Sequence, residues 1–148
     1  NCDWFARLTA DNPLISINLA NILINQITPS LDYIAYEKLI PNGSGIELIN
    51  KKTFLNIDEN LLDEAQKEHV TPIFYENCNK FNCLFIKPPT LYRLENLRIT
   101  IDYEEDYQLL KKLYEIKKSI TLEEVINIFN KDNALFKINR ECVQKTLR

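Results

Sequence analysis

Trp4-Phe5-Ala6-Arg7-Leu8 is an apolar run near the start of the chain, and Thr9-Ala10-Asp11-Asn12-Pro13-Leu14 follows it directly. An apolar run closed by one acidic residue and Asn-Pro predicts a buried strand with a turn after it. In α/β sheets the carboxyl ends of strands border the ligand crevice, so this strand would deliver Asp11 there. A carboxylate in that place suits Mg²⁺, which takes one or two protein carboxylates and completes its shell with water and substrate phosphates. The alternative is that Asp11 only begins a turn.

The composition predicts one globular domain spanning residues 1–148. Hydrophobic residues make up 45% of the 148, and no apolar run approaches the length of a membrane span. The net charge is −3 and the basic residues are scattered, which argues against binding to a phosphate backbone. We therefore expect neither a nucleic-acid partner nor a membrane partner.

The cysteines and the start of the chain give two further expectations. The four cysteines form no C-x-x-C pair and there is a single histidine, so no zinc site is expected and the thiols should be reduced. The chain opens on Asn-Cys-Asp without a signal-peptide pattern, which favours a cytoplasmic location. The sequence contains no methionine. We therefore expect a fragment, a processed form or a trimmed version of a longer protein.

The remaining periodicity alternates between helical and extended patterns. Helices are predicted at 16–27, 51–55, 59–67, 104–117 and 121–130, and strands at 32–36, 46–49, 83–86 and 98–101. A capping box, Thr121-Leu122-Glu123-Glu124, marks the start of the last helix. Residues 133–139 are expected to form an irregular or short strand segment. An alternation of this kind predicts an α/β fold.

Three further positions are candidates for a functional site, each with a structural alternative. The two glycines lie in Pro41-Asn42-Gly43-Ser44-Gly45, which is either a plain turn or a loop that approaches a ligand, with Glu47 facing the same pocket. His69 lies beside a predicted helix start at Thr71-Pro72, where it is either structural or free to reach a ligand. Asp102 closes the predicted strand at 98–101 and is either a helix cap or a site residue.

Several of these motifs, in this order, resemble the cytidylyltransferases that activate acidic sugars. Within that family the resemblance is to the spore coat polysaccharide biosynthesis proteins, which are related to the enzymes that make CMP-ketodeoxyoctonate and CMP-sialic acid. The motifs that carry it are Arg7-Leu8-Thr9-Ala10-Asp11-Asn12-Pro13-Leu14, Asp32-Tyr33, Pro41-Asn42-Gly43 with Gly45-Ile46-Glu47-Leu48, Glu68-His69-Val70-Thr71-Pro72, and Arg98-Ile99-Thr100-Ile101-Asp102 with Glu105-Asp106.

The resemblance implies a nucleotide-diphospho-sugar transferase fold, with a mixed, mostly parallel sheet between helices and usually a homodimer. It implies that Asp11 and Asp102 match the two family aspartates that bind Mg²⁺, which in turn holds the triphosphate of CTP. Arg7 lies in the same motif as Asp11, and we assign both as catalytic residues. Glu47 and His69 match positions that face the acceptor sugar, and we assign both to substrate binding.

One departure from the family is large. Its N-terminal strand and its loop rich in Gly, Ser and Arg, which hold the nucleotide, have no counterpart here, and two glycines are too few for a P-loop or a G-x-G-x-x-G motif. We therefore expect the C-terminal portion of a cytidylyltransferase-like domain, inactive when taken alone. The alternative is a non-catalytic remnant or interaction module that keeps the fold.

Overall fold

Four strands form one mixed sheet in the computed structural model, which describes residues 2–143. Strands β1 and β2 each pair antiparallel with β3, and β4 pairs parallel with β2, in the order β1-β3-β2-β4. A mixed sheet was predicted and is confirmed. The expectation of a mostly parallel sheet is wrong for the described residues, since only one of these pairings is parallel. The strands are β1 (Trp4–Arg7), β2 (Tyr33–Tyr36), β3 (Glu47–Asn50) and β4 (Cys83–Ile86).

Six helices and three 3₁₀ turns surround this sheet in the described part of the chain. Side chains fix several helix starts, as Ser16 does by accepting from the amide of Leu19 and Thr121 by accepting from that of Glu124. None of the described helices is long and apolar enough to cross a membrane. The helices are α1 (Ile17–Ile24), α2 (Lys51–Leu55), α3 (Glu64–His69), α4 (Pro72–Tyr75), α5 (Glu104–Ile116) and α6 (Leu122–Lys131), and the 3₁₀ turns are Glu59–Leu61, Thr90–Tyr92 and Leu135–Asn139.

The sheet is covered on both faces. Every residue of β2 is buried. Since successive side chains of a strand point to opposite faces, both faces of the sheet must be covered at β2. Ile34 and Tyr36 belong to the main core, which includes buried residues of α1, α5 and α6. Tyr33 and Ala35 belong to a smaller cluster with Ile49 and Phe74. This two-sided burial explains why β2 is a continuous apolar run without alternation.

Two predicted strands differ in the structure. β1 was expected to be buried, but it is an edge strand whose residues are half-buried or exposed, since only β3 pairs with it. Residues 98–101 are not a strand of the sheet. They run beside the 41–45 loop, where the amide of Ile99 donates to the carbonyl of Asn42 at 2.8 Å and one isolated bridge forms. A loop partner is too short to extend this bridge into a ladder.

The last predicted segment also takes a different form. Residues 133–139 were expected to be irregular or a short strand, and Leu135–Asn139 is a 3₁₀ turn instead. Phe136 is buried in the main core, and Asn139 is buried beside α5. Its two buried residues are three positions apart, which fits a 3₁₀ turn and does not fit the alternation of buried and exposed residues in a strand.

Candidate functional site

Glu47 is the centre of a polar cluster on β1, β2 and β3. Arg7 lies directly opposite Glu47 in the β1–β3 register, and its Nη1 donates to Glu47 Oε2 at 2.8 Å. The hydroxyl of Thr71 donates to the same oxygen at 3.1 Å, and the hydroxyl of Tyr33 donates to Oε1. The structure thus brings together Arg7 and Glu47, two residues that the sequence assigned to separate roles, and both roles stay predictions.

Three residues of this cluster, Arg7, Tyr33 and Glu47, border an open cavity of about 610 Å³. Arg7 and Glu47 contribute its paired charges, and Tyr33 and Tyr75 contribute aromatic walls. Asn12, which directly follows Asp11, also lines it, so the cavity reaches the turn after β1. Gly45 lies on its border, as the ligand-loop interpretation of the 41–45 segment requires.

Aromatic packing fixes Tyr33 in place. Its side chain is 1% exposed, and its ring stacks on that of Phe74 in α4 with centroids 5.3 Å apart. Burial, with a contribution from the neighbouring Glu47 carboxylate, raises the pKa of Tyr33 far above its usual range. Tyr33 therefore remains a neutral hydrogen-bond donor to Glu47 at any working pH.

His69 lies near this cluster but does not line the cavity. It is the last residue of α3, and its carbonyl accepts from the amide of Thr71 at 2.7 Å. Its Nε2 is 3.9 Å from Glu68 Oε2, and its side chain is 30% exposed. The structure thus supports a structural position for His69 two residues from Thr71, and its contact with a sugar stays a prediction.

Asp11 is an exposed residue of the turn that follows β1. In this turn the amide of Asn12 donates to the carbonyl of Thr9 at 3.1 Å. The carbonyl of Asp11 accepts from the amide of Ile101 at 2.9 Å. The turn interpretation is thus correct for the backbone, and this contact also brings Asp11 next to the segment that ends in Asp102.

Asp102 takes part in an ion-pair network at the start of α5. Its Oδ2 lies 2.6 Å from Nη2 of Arg98, and the same nitrogen lies 2.7 Å from Oδ2 of Asp106. Asp102 is not the helix cap, because the cap position falls on Tyr103. Asp106 fills the capping role, accepting from the amides of Asp102 and Tyr103 at 3.0 and 3.1 Å.

Asp106 is the most buried carboxylate of this network, with no exposed surface. Burial acts to raise its pKa, but hydrogen bonds from Arg98, Asn139 and the backbone outweigh burial and hold the pKa below its usual range. Asp106 is one of three acidic residues in the first turn of α5, with Glu104 and Glu105, where the helix dipole favours negative charge. Its main role is instead to bind the buried Arg98, which residue spacing did not reveal.

The residues present are compatible with a magnesium ion. Within residues 2–143 no group of three or more His, Cys, Asp or Glu side chains could hold a metal, which argues against a cage made only of protein ligands. Mg²⁺ needs only one or two carboxylates when water and phosphates supply the rest. One backbone hydrogen bond joins the segments of Asp11 and Asp102, and Asp102 is also paired with Arg98, so a shared ion stays a prediction.

Two residues of the Glu47 cluster were not predicted as site residues. Tyr33 and Thr71 both lie in motifs that carry the family resemblance, but Tyr33 was interpreted as a strand residue and Thr71 as a helix cap, and neither was assigned to the site. Thr71 makes no side-chain capping bond, because its hydroxyl donates to Glu47 instead. A threonine directly before a proline is the usual pattern of a helix N-cap. This pattern therefore gave no reason to expect that the Thr71 hydroxyl bonds to Glu47.

Comparisons with known proteins extend these observations. The chain is 30% identical over 150 aligned positions to the uncharacterized protein MJ1063 of Methanocaldococcus jannaschii, covering 99% of this chain and 61% of the relative. It is 28% identical over 131 positions to the spore coat polysaccharide biosynthesis protein SpsF of Bacillus subtilis, covering 85% of this chain and 54% of SpsF. The chain therefore spans a little over half the length of these relatives. No family model matches the chain.

The fold also has a solved counterpart. A cytidylyltransferase from Leptospira borgpetersenii superposes with a TM-score of 0.81 and 21% identity, over 97% of this chain and 61% of that protein. At this identity the superposition shows the fold, and the match to SpsF supplies the relationship in sequence. The resemblance predicted from the motifs is thus confirmed: the chain is a relative of the spore coat polysaccharide protein SpsF and has the fold of a cytidylyltransferase.

Proposed function

We propose that the parent protein of this chain is a cytidylyltransferase that transfers CMP from CTP to a sugar or sugar acid and releases pyrophosphate, for the synthesis of a surface polysaccharide or glycan. The relationship to SpsF and the cytidylyltransferase fold support this proposal. Within the chain, the observation that carries it is the hydrogen bond between Ile101 and Asp11, which joins two segments that each carry an aspartate matching a family metal ligand.

The proposed reaction is a phosphoryl transfer. An oxygen of the acceptor sugar forms a bond to the α-phosphorus of CTP, the bond from that phosphorus to the pyrophosphate oxygen breaks, and the hydroxyl proton passes to solvent. Mg²⁺, when bound, neutralises charge on the phosphates. In this chain Asp11 and Asp102 would hold the ion. Arg7 and Glu47, at the cavity next to the Asp11 turn, would orient the acceptor.

Turnover by the full-length parent tests the proposal. The protein is incubated with CTP, Mg²⁺ and a panel of neutral sugars, deoxy sugar acids and nonulosonic acids, and pyrophosphate release is measured. We expect release with at least one sugar, and we expect Asp11→Asn and Asp102→Asn each to abolish it. Asp3→Asn is the control, because Asp3 is an exposed aspartate outside the cavity and the ion-pair network.

Each result has a defined meaning. Full turnover by both aspartate variants would overturn the metal assignment. A parent that folds but releases no pyrophosphate with any sugar would favour the alternative, a non-catalytic module that retains the fold. We expect the 148-residue chain alone to be inactive, since it lacks the Gly-, Ser- and Arg-rich loop that holds the nucleotide in the family it resembles.

A further inference from the structure

The charges that line the 610 Å³ cavity cancel. Two cationic side chains, Arg7 and Lys38, face two carboxylates, Glu37 and Glu47, among the described residues that border it. Arg7 is the half-buried cation, and Glu47 already neutralises it at 2.8 Å. The cavity therefore has no excess positive charge with which to attract an anionic ligand.

The polar groups of the cavity are instead arranged as a fixed donor beside a fixed acceptor. Glu47 is held by hydrogen bonds from Tyr33, Thr71 and Arg7. Arg7 donates to Glu47 through Nη1, and a guanidinium carries five N–H donors in all. A sugar hydroxyl both donates and accepts, so it can bond to Glu47 and Arg7 together.

Aromatic side chains complete the cavity. The aromatic residues Tyr33, Tyr75 and Phe85 border it, and Phe85 is 41% exposed. Ligand sites in proteins are commonly walled by aromatic side chains with a few placed polar groups. The apolar C–H face of a sugar ring can lie against such a wall while its hydroxyls reach the charged pair.

We propose that this cavity binds an uncharged, hydroxyl-bearing part of a sugar, with Glu47 as acceptor and Arg7 as donor, and that it disfavours a carboxylate. The identity of the ligand as a sugar rests on the proposed function. A ligand carboxylate bonded to Arg7 would lie beside Glu47, and like charges repel more strongly at a half-buried site than in water. Tyr33 and Thr71 act through Glu47, so they are positioning residues.

Direct binding to the 148-residue chain tests this inference. The chain is titrated with two matched pairs, glucose with glucuronate and galactose with galacturonate, and amide chemical shifts are followed by NMR. We expect a neutral sugar to shift signals of cavity residues and its uronate to bind at least about fivefold more weakly. A uronate that binds as tightly as its neutral partner, or four sugars that leave the cavity signals unmoved, would overturn the inference.

Variants identify the group responsible. Glu47→Gln removes the charge and keeps an acceptor oxygen, so it should bring the uronate to within about twofold of the neutral sugar. Glu115→Gln is the control, since Glu115 is an exposed glutamate of α5 outside the cavity. An unchanged preference in Glu47→Gln would contradict the role of Glu47.

Thr71→Val and Thr71→Ser provide a second pair of variants. Only Thr71→Val, which removes the hydroxyl, should weaken binding of the neutral sugar.

The positioning role of Tyr33 has a separate readout. Tyr33→Phe keeps the ring that stacks on Phe74 and removes the hydroxyl that bonds to Glu47. We expect weaker binding of the neutral sugar by this variant. We expect no further loss when Tyr33→Phe or Thr71→Val is added to Glu47→Ala, because both residues act through Glu47. Equal binding by Tyr33→Phe and the native chain would show that Tyr33 only packs.

Failure of this inference is distinguishable from failure of the proposed function. If the uronates bind the chain as tightly as the neutral sugars while the parent releases pyrophosphate, the inference falls and the proposed function stands. If neutral sugars bind the chain with the expected preference while the parent releases no pyrophosphate, the proposed function falls and the sugar site stands.

Discussion

Asp106 shows how one residue can organise its surroundings in this protein. It is fully buried, and its carboxylate bonds to Arg98 by two nitrogens, at 2.8 and 2.7 Å. It also accepts from Asn139 at 2.8 Å and caps the first turn of α5. A buried charge pair is stabilising only while both partners are present, because either charge left alone is unsatisfied.

We predict that Asp106→Asn lowers the free energy of unfolding by about 3 kcal/mol, because it leaves the 9% exposed Arg98 without its main buried counter-ion. Urea unfolding followed by circular dichroism measures the change. Glu115→Gln also removes one carboxylate from α5, but at an exposed position, and should change stability by less than about 0.5 kcal/mol. Equal stability of the two variants would contradict the role assigned to Asp106.

The sequence predicted part of the site at the residue scale and missed the rest for a physical reason. Arg7 and Glu47 were singled out by their motifs, and the structure places them in contact. Tyr33 and Thr71 lie in quoted motifs but were not assigned to the site, because each already had a local explanation, as a strand residue and as a cap. Contacts over 14 and 24 residues of sequence depend on strand register, which local spacing does not determine.

Glu123 joins three elements of the fold. From the start of α6, its Oε1 accepts from Ser16 at the start of α1 at 2.6 Å and from Tyr92 in a 3₁₀ turn at 2.7 Å. Burial acts to raise the pKa of Glu123, but hydrogen bonds from Ser16 and Tyr92 outweigh it and leave the pKa at about 2. The ionised form of Glu123 therefore stabilises the packing of α1 against α6.

We predict that Glu123→Gln destabilises the chain at neutral pH by about 1 to 2 kcal/mol, since solvent screens the partly exposed carboxylate and reduces the effect of its lowered pKa. Because the pKa in the folded chain is below the unfolded value, this stabilisation is present above about pH 4.5 and is lost as the pH falls toward 2. Unfolding measured between pH 7 and about pH 3 should show the native chain and the variant converging. A pH-independent difference would show that Glu123 contributes only as an uncharged acceptor.

The 41–45 loop depends on one glycine. Gly43 has φ +97°, and a Cβ at that position would lie 2.5 Å from the amide nitrogen of Thr100. A Cβ at Gly45 would have no neighbouring atom within 4 Å. Gly43 therefore permits the close approach of the loop to the segment that ends in Asp102.

We predict that Gly43→Ala lowers stability by about 2 kcal/mol or more, since it combines a strained backbone with a clash against backbone atoms. Gly45→Ala is the matched control and should change stability by no more than about 0.5 kcal/mol. Thermal unfolding compares the two variants. Equal stability of Gly43→Ala and Gly45→Ala would mean that the loop can move away from Thr100 at no cost in folding free energy, and it would contradict the role assigned to Gly43.

At the scale of elements, local pattern predicted most of the helices and all four described strands, and it added one strand, at 98–101, that the sheet does not contain. Two predicted elements, 51–55 and 83–86, have the observed bounds, because capping residues and apolar runs mark their ends. Residues 98–101 have the same apolar pattern but are not a sheet strand, since their hydrogen-bond partners are in a loop. A sequence pattern shows that a segment is extended and half-buried, and the partner is decided by tertiary packing.

At the scale of the whole molecule, the sheet separates two environments. The main core of α1, α5 and α6 lies on one face, and the smaller cluster of Tyr33, Ala35, Ile49 and Phe74 lies on the other. The 610 Å³ cavity borders the smaller cluster through Tyr33 and Ala35. The site therefore stands on the central strand of the sheet, where a rigid scaffold holds its polar groups in register.

The edge of the sheet leads to a prediction about assembly. β1 pairs with β3 on one side, and among the described residues no strand pairs with its other side. An open edge offers unpaired backbone groups to a second chain, and two-fold dimers are the commonest protein assemblies. We predict that the 148-residue chain forms a homodimer through β1.

Light scattering at high protein concentration tests this prediction, with Ala6→Lys as the variant that blocks the edge. Ala6 is an exposed residue of β1, and a lysine on each of two paired edges would bring like charges together. We expect the native chain to have the mass of a dimer and Ala6→Lys that of a monomer. Ala134→Lys adds the same charge at an exposed position outside the sheet and should leave the dimer intact. A native chain that is monomeric, or an Ala6→Lys variant that is as dimeric as Ala134→Lys, would show that β1 is not the dimer contact.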